Sequence, residues 1–171
     1  ERDRQVNEIV RNSPAVLFRA VPDLEVDHGW LFVFNSANVV DVLGYSVDEL
    51  NADRDLWVSR IHSDDRDRIA DAARRASTNA ATGVPVVYEY RFRRRDGRVI
   101  WLQDTLRIVF DAQGHPLEMF GQSLDITERR QAEEALAENR RQLDEVVRNS
   151  PAVLYRALPD KATDGWQVVF F

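Results

Sequence analysis

The sequence predicts an α+β domain built on an antiparallel sheet, and three observations predict it. From Val84 onward the pattern has a period of two, Tyr88, Tyr90 and Phe92 alternating with Glu89, Arg91 and Arg93, as in a strand with one buried face. The dipeptide Asp96-Gly97 that follows is a strong hairpin signal. Strands and helices are also segregated along the chain, which separates α+β from alternating α/β architectures.

Residues 1–12 read as an N-terminal flanking helix, with Val6, Ile9 and Val10 at helical spacing, and Asn12-Ser13-Pro14 ends it. Ala15–Ala20 and Trp30–Phe34 are short, apolar and rich in β-formers, so they form two strands joined by a turn-rich loop. Ser46-Val47-Asp48-Glu49 is a capping box that opens a short helix. Ser63 to Thr78 is the strongest helix of the first half. Ile69, Ala72, Ala73 and Ala76 lie on one stripe, and Asp64, Asp65 and Asp67 suit the N-terminal end of its dipole.

After the Asp96-Gly97 turn, Ile100, Leu102, Leu106, Ile108 and Phe110 share a face. A two-residue loop would throw Arg93 onto the face of Ile100. A three-residue loop, Asp96-Gly97-Arg98, pairs Phe92 with Leu102 and keeps the apolar sets together, so that loop is expected. Asp111-Ala112-Gln113-Gly114 is a second turn, followed by a strand from Leu117 to Asp125. Glu128–Val147 contains neither Gly nor Pro and reads as one charged helix.

That helix leads into a repeat. Gln5–Phe34 and Gln142–Phe171 share the stretch Val-Arg-Asn-Ser-Pro-Ala-Val-Leu, with Glu8 matching Glu145, and Trp30 aligns with Trp166 after a one-residue deletion. A unit this long is a full domain and not a solenoid repeat. The expected organisation is a flanking helix (1–12), an α+β domain (13–125), a linker helix (126–149) and the start of a second copy of the domain (150–171). Ala152–Leu158 and Trp166–Phe171 should form two strands like those of the first copy. The run Gln167–Phe171 would leave Val168, Val169, Phe170 and Phe171 uncovered, so we expect this segment to pair with a neighbouring chain, either by taking the place of that chain's own strands or by adding to a sheet edge. The alternative is that it folds back on its own linker helix.

The chain has 171 residues, a net charge of −6 and no cysteine. Its length corresponds to one domain and a remainder. Starting at Glu1 and ending within an apolar run, it is expected to be a piece of a longer protein. The acidic balance argues against nucleic-acid binding. The absence of cysteine removes disulfides, thiol nucleophiles and Cys-based zinc sites. The longest apolar run, Trp30–Phe34, is far below the ~20 residues of a membrane span, and no signal peptide is visible. Cytoplasmic location and no membrane contact are expected.

Few residues suggest chemistry. His28 and His115 sit beside turn glycines, as solvated loop residues do. His62, Asp64 and Asp65 have poor spacing for a metal site, and helix capping accounts for the same residues. No nucleophile–base–orienter set and no Gly-rich phosphate loop is present, so neither catalytic nor metal-binding residues are expected. Asp104 interrupts the apolar face of Leu102 and Leu106, where a carboxylate must be paired, hydrogen-bonded or neutralised. It is either a structural hydrogen-bonding group or a polar contact for a small ligand. The cluster Arg91, Arg93, Arg94, Arg95 and Arg98 reads as a solvated hairpin or an Arg–carboxylate network, with Arg93 on the face of Trp101 for a cation–π contact. In the last helix, Arg129, Ala132, Leu136, Asn139, Leu143 and Val146 follow a heptad seam, with Asn139 at a core position that sets register. A helix that packs on its own domain is the alternative.

The spaced series Leu43-Gly44-Tyr45, His62-x-Asp64-Asp65-Arg66, Arg95-Asp96-Gly97 with Trp101, and Asp125-Ile126-Thr127 resembles a PAS domain over residues 13–130. The resemblance implies a five-stranded antiparallel sheet flanked by helices. It also implies a sensory or relay role upstream of an output domain, a histidine kinase or a cyclic-di-nucleotide enzyme such as a diguanylate cyclase. Haem-binding members carry an axial histidine on or near the long helix, and residues 63–82 have none. The covalent flavin branch needs a cysteine, and Ser123 stands where that branch has a glutamine. The residues therefore argue against haem and covalent flavin, whereas non-covalent flavin or a small metabolite fits.

Period two puts Tyr88, Tyr90, Phe92, Leu102 and Leu106 on the helix-facing side, and the resemblance adds Leu117, Met119, Gly121 and Ser123. A modest apolar pocket is expected there, with Asp104 and Ser123 as polar lining and with Gly121 and Ser123 leaving room. By resemblance, the junction Asp125-Ile126-Thr127 relays strain from sheet to linker. A homodimer through the linker and flanking helices is expected, with Ala132, Leu136, Asn139, Leu143 and Val146 as its seam. The alternative function is a ligand-free dimerisation and spacer module.

Overall fold

A computed structural model describes residues 10–25, 29–78, 85–149, 155–160 and 165–170. Most of the expected flanking helix, His28 and residues 152–154 lie outside the described residues. The first unit, Glu1–Glu128, holds the whole five-stranded sheet. Strand β1 (Ala15–Pro22) pairs with β2 (Trp30–Asn35). Four helices follow: α1 (Val39–Leu43), α2 (Val47–Ala52), α3 (Leu56–Arg60) and α4 (Ser63–Thr78). Strands β3 (Val86–Arg93), β4 (Val99–Phe110) and β5 (Pro116–Asp125) complete an antiparallel sheet of order β2-β1-β5-β4-β3. Helix α5 (Thr127–Asn149) leaves the end of β5. The α+β expectation is met.

Side-chain alternation places the core. Val16, Phe18 and Ala20 of β1, Tyr88, Tyr90 and Phe92 of β3, and the even-numbered residues of β4 from Ile100 to Ile108 are buried. Val39, Leu43, Leu50, Leu56 and Trp57 from the short helices close over them. The capping box of α2 forms as expected: Ser46 Oγ accepts from the Glu49 backbone N–H, and the Glu49 carboxylate accepts from the Ser46 N–H.

The β3–β4 hairpin corrects the expected register. Phe92 pairs with Ile100 and Tyr90 with Leu102, not Phe92 with Leu102. The loop does have three residues, but they are Arg95-Asp96-Gly97. Arg94 N–H donates to Arg98 O at 2.9 Å, and Gly97 N–H donates to Arg94 O at 3.0 Å. Gly97 has φ 85°, so glycine takes the last, left-handed position of the loop, as a type I turn with a bulge requires. The two-residue change preserves the buried faces but moves the cross-strand partner of Trp101 from Arg93 to Arg91, whose guanidinium lies 5.8 Å from the indole ring.

The second unit, Arg129–Phe171, contains most of α5 and a two-stranded antiparallel sheet, β6 (Tyr155–Asp160) with β7 (Gly165–Phe170). Its register matches the first hairpin as far as the shift at Arg19/Ala20, beyond which β6–β7 continues without one. Ala157↔Val168, Leu158↔Gln167 and Pro159↔Trp166 are the repeat equivalents of Ala20↔Phe32, Val21↔Leu31 and Pro22↔Trp30.

Candidate functional site

A cavity of about 120 Å³ lies between the sheet and α4. This is close to the roughly 150 Å³ that accepts a benzene ring. The sheet wall is Tyr88 and Tyr90 of β3, Asp104, Leu106 and Ile108 of β4, and Met119 of β5. The opposite wall is Ile69, Ala70, Ala73 and Ala76 of α4, whose short side chains leave the space unfilled. Trp30, Phe32, Phe18 and Trp57 close one end. Their rings are packed, with Phe32 stacked on Trp57 at 5.8 Å between centroids and Phe18 edge-on to Phe32 at 5.6 Å, spacings typical of stabilising aromatic pairs.

Arg66 and Ser77, the latter accepting from Trp30 Nε1–H at 3.3 Å, are polar members of the lining, and a buried hydrogen-bonded chain lies in the wall. Trp57 Nε1–H donates to Tyr90 Oη at 3.0 Å, and Tyr90 O–H donates to Asp104 Oδ2 at 2.7 Å. Burial pushes the Asp104 carboxyl up to about 6, against the opposing effects of Ser123 and Tyr90. Ser123 is directly across from it on β5. Asp104 Oδ1 and Ser123 Oγ are both buried without a hydrogen bond of good geometry. Burial, with the nearby Asp104 charge, also raises the Tyr90 phenol well above its usual range and the Tyr88 phenol to about 12. Both tyrosines are neutral donors at ordinary pH.

Of the residues expected to line the pocket, the structure brings Tyr88, Tyr90, Asp104, Leu106 and Met119 to the cavity. Phe92, Leu102 and Ser123 are fully buried but pack within the core, away from the cavity wall. Two expectations are corrected. Leu117 is 51% exposed, because the start of β5 is uncovered next to the register shift at Val109/Phe110. Gly121 leaves no room for a ligand: a Cβ there would lie 2.3 Å from the Phe18 ring, so Phe18 already fills that space. The α4 wall and the aromatic end were missed. Their only sequence signal was the Ile69/Ala72/Ala73/Ala76 stripe, which is small as well as apolar.

A second cluster ties α4 to the junction. Asp65, 6% exposed, accepts from Arg91 Nε at 2.9 Å, from the Arg91 backbone N–H at 3.0 Å and from Arg68 Nη2 at 3.2 Å. Burial would raise its pKa, but these donors together hold it at about 2. The basic cluster is largely an Arg–carboxylate network, as one of the two expectations had it. Arg95 pairs with Glu49 at 2.6 Å and Arg98 with Asp96 at 2.7 Å. The expected Arg93–Trp101 contact is replaced by Arg91–Trp101.

Trp101 in turn holds the junction. Its N–H donates to Thr127 Oγ1, and its carbonyl accepts from the Ile126 N–H, both at 2.9 Å. Asp125 Oδ1 accepts from the Thr127 N–H at 2.9 Å, and Ile126 is 3% exposed. The first turn of α5 is therefore stitched to the middle of the sheet. Beyond it, Leu136, Leu143 and Val146 are exposed, as are Ala132 and Asn139. Among the described residues no helix is long and apolar enough to cross a membrane.

A family model described as the PAS fold matches residues 32–122, and the chain belongs to this family. A two-component sensor, PprA, of Pseudomonas aeruginosa is 27% identical over 160 residues, covering 91% of this chain and 16% of that protein. A methyl sulfide methyltransferase-associated sensor of Methanosarcina acetivorans is 27% identical over 152 residues, covering 86% of this chain and 14% of its own. The chain thus spans about a sixth of the length of these curated relatives or less. A sensory box histidine kinase/response regulator from Burkholderia thailandensis superposes with a TM-score of 0.58 at 25% identity, covering 85% of this chain and 99% of that one. The chain carries a signalling sensor module, and a PAS domain is not itself catalytic.

Proposed function

We propose that the domain senses a small molecule held in the cavity and relays its presence through the junction into α5. The observation that carries this is the unfilled space beside the Trp57–Tyr90–Asp104 chain, which offers a mostly apolar volume with a few polar groups in its wall. The ligand we propose is a metabolite about the size of one ring. A three-ring flavin does not fit a cavity of 120 Å³ as it is folded here. The relay runs from α4 through Asp65, Arg91 and Trp101 to Thr127, a continuous set of contacts. We further propose a cytoplasmic homodimer joined through the seam of α5, an output domain of the histidine-kinase or diguanylate-cyclase type outside this chain, and a second PAS domain opening at β6–β7. The matched register of the two hairpins supports the last of these.

Native mass spectrometry of the chain, with and without Ala73→Phe to fill the cavity, tests the ligand. The expected result is a small bound molecule that the variant loses. A native chain with no added mass, together with unaltered signalling by A73F in the full-length protein, would instead establish the ligand-free spacer.

A further inference from the structure

A second concave site lies on the other side of α3. It is an open groove of about 490 Å³ between α2, α3 and the tip of the β3–β4 hairpin. Four arginines line it, Arg60, Arg93, Arg94 and Arg95, against two carboxylates, Glu49 and Asp53. This surplus of two positive charges sits in a chain of net charge −6. The carboxylates do not neutralise it evenly. Glu49 is taken by Arg95, and Asp53 Oδ1 accepts from the Asp55 N–H at 3.1 Å. Arg94 reaches Asp96 at 3.8 Å and donates to Asp41 O at 3.2 Å.

Arg60 and Arg93 form no ion pair or hydrogen bond among the described residues. Arg60 lies 5.7 Å over the Tyr45 ring, which fixes its guanidinium plane, and its Nε is buried without an acceptor. A buried donor ordinarily has an acceptor, and the Nε of Arg60, like that of Arg94 beside it in the groove, has none among the described residues. Arg60 and Arg93 thus line one groove with neither guanidinium paired to a carboxylate among the described residues, and a free guanidinium fork is the chemistry that recognises oxyanions bidentately.

We propose that this groove binds a small soluble polyanion bearing phosphate or carboxylate groups. The site is separate from the apolar cavity, yet both share α3. Trp57 and Val58 face the cavity, whereas Leu56 and Arg60 face the groove. Anion binding at Arg60 should therefore be felt at Trp57 through α3, and any effect on cavity occupancy would be reciprocal.

Calorimetric titration of the chain with pyrophosphate and, separately, with citrate tests this. ¹⁵N spectra would follow the Trp57 indole N–H. At least one probe should bind one-to-one with saturation, weaken as sodium chloride is raised, and shift the Trp57 signal. The probe preferred distinguishes phosphate from carboxylate recognition. Arg93→Gln and Arg60→Gln should each weaken binding at least about tenfold, the loss expected for one charge-assisted contact. Arg107→Gln, on β4 outside the groove, should leave it unchanged. Arg93 is exposed, so R93Q carries the test even if R60Q lowers stability. The proposal falls if neither probe saturates by about 10 mM, if R93Q binds like the native chain, or if R107Q weakens binding as much as R93Q does.

Discussion

At Asp104 two demands oppose each other. Tyr90 donates to Oδ2, which favours the charged carboxylate, while complete burial favours the neutral acid and wins, placing its pKa at about 6. A carboxyl whose pKa is raised on folding binds its proton more tightly in the native state. Its contribution is most favourable near pH 4 and is lost as pH rises through 6, a change of about 2–3 kcal/mol. Asp65 runs the other way. Held at about 2, it stabilises the fold above pH 4 and loses that effect as pH falls toward 2. Asp104→Asn keeps an acceptor for Tyr90 but cannot ionise. Urea unfolding at about pH 4.5 and about pH 7 should show the native chain losing up to about 2 kcal/mol relative to D104N between the two. A pH-independent difference would show that Asp104 does not titrate in this range. Asp104 was legible in the sequence because a carboxylate on an apolar stripe is conspicuous. Gly121 misled because a small residue reads as space, and only the path of Phe18 shows that the space is taken.

Among the elements, the junction is the clearest case of a sequence motif becoming geometry. Asp125-Ile126-Thr127 is expected by resemblance to be the sheet-to-linker junction, and the structure gives it three hydrogen bonds, two of them to Trp101 in β4. Asp125→Ala with Thr127→Ala removes the Oδ1 and Oγ1 acceptors. Cap loss costs about 0.5–2 kcal/mol, below the stability of an ordinary domain. The double variant should keep its circular dichroism spectrum and melt somewhat earlier, while the full-length protein no longer responds to its signal. Thr127→Ser retains the hydroxyl and should behave as native. Outright unfolding, or a normal response, would remove the relay role. Strands and the long helix were legible from periodicity, and so was the hairpin loop length. The loop position was not, because face-matching cannot distinguish a register from one shifted by two residues; the left-handed glycine decides it. The helical wall of the cavity was not legible either. Periodicity shows which face of α4 is buried, but not which strand it faces or how far away.

At the scale of the molecule, α5 carries an apolar stripe that is exposed among the described residues. Leu136 is 71% exposed, and Leu143 and Val146 are each 66% exposed. They repeat at alternating spacings of three and four with Ala132 and Asn139, the pattern of a two-stranded coiled coil. The polar Asn139 weakens such a seam but aligns its two strands. The hairpin β6–β7 is the second incomplete element. Two strands alone are marginal in water, and the pairs at Ala157, Leu158 and Pro159 match those at Ala20, Val21 and Pro22 in the first pair of the five-stranded sheet. In the proposed homodimer a neighbouring copy would supply a second α5 for the seam and a sheet for the hairpin. Light scattering should therefore give the mass of a dimer for the chain. Leu136→Glu with Leu143→Glu should give a monomer that still contains a folded sheet, since the five-stranded unit lies before α5. A chain ending at Asn149 should still dimerise through the seam, with dissociation about tenfold easier if strand exchange contributes as little as 1.4 kcal/mol. Unchanged dissociation would confine assembly to the helix, and a dimer that survives the two glutamates would place the interface elsewhere.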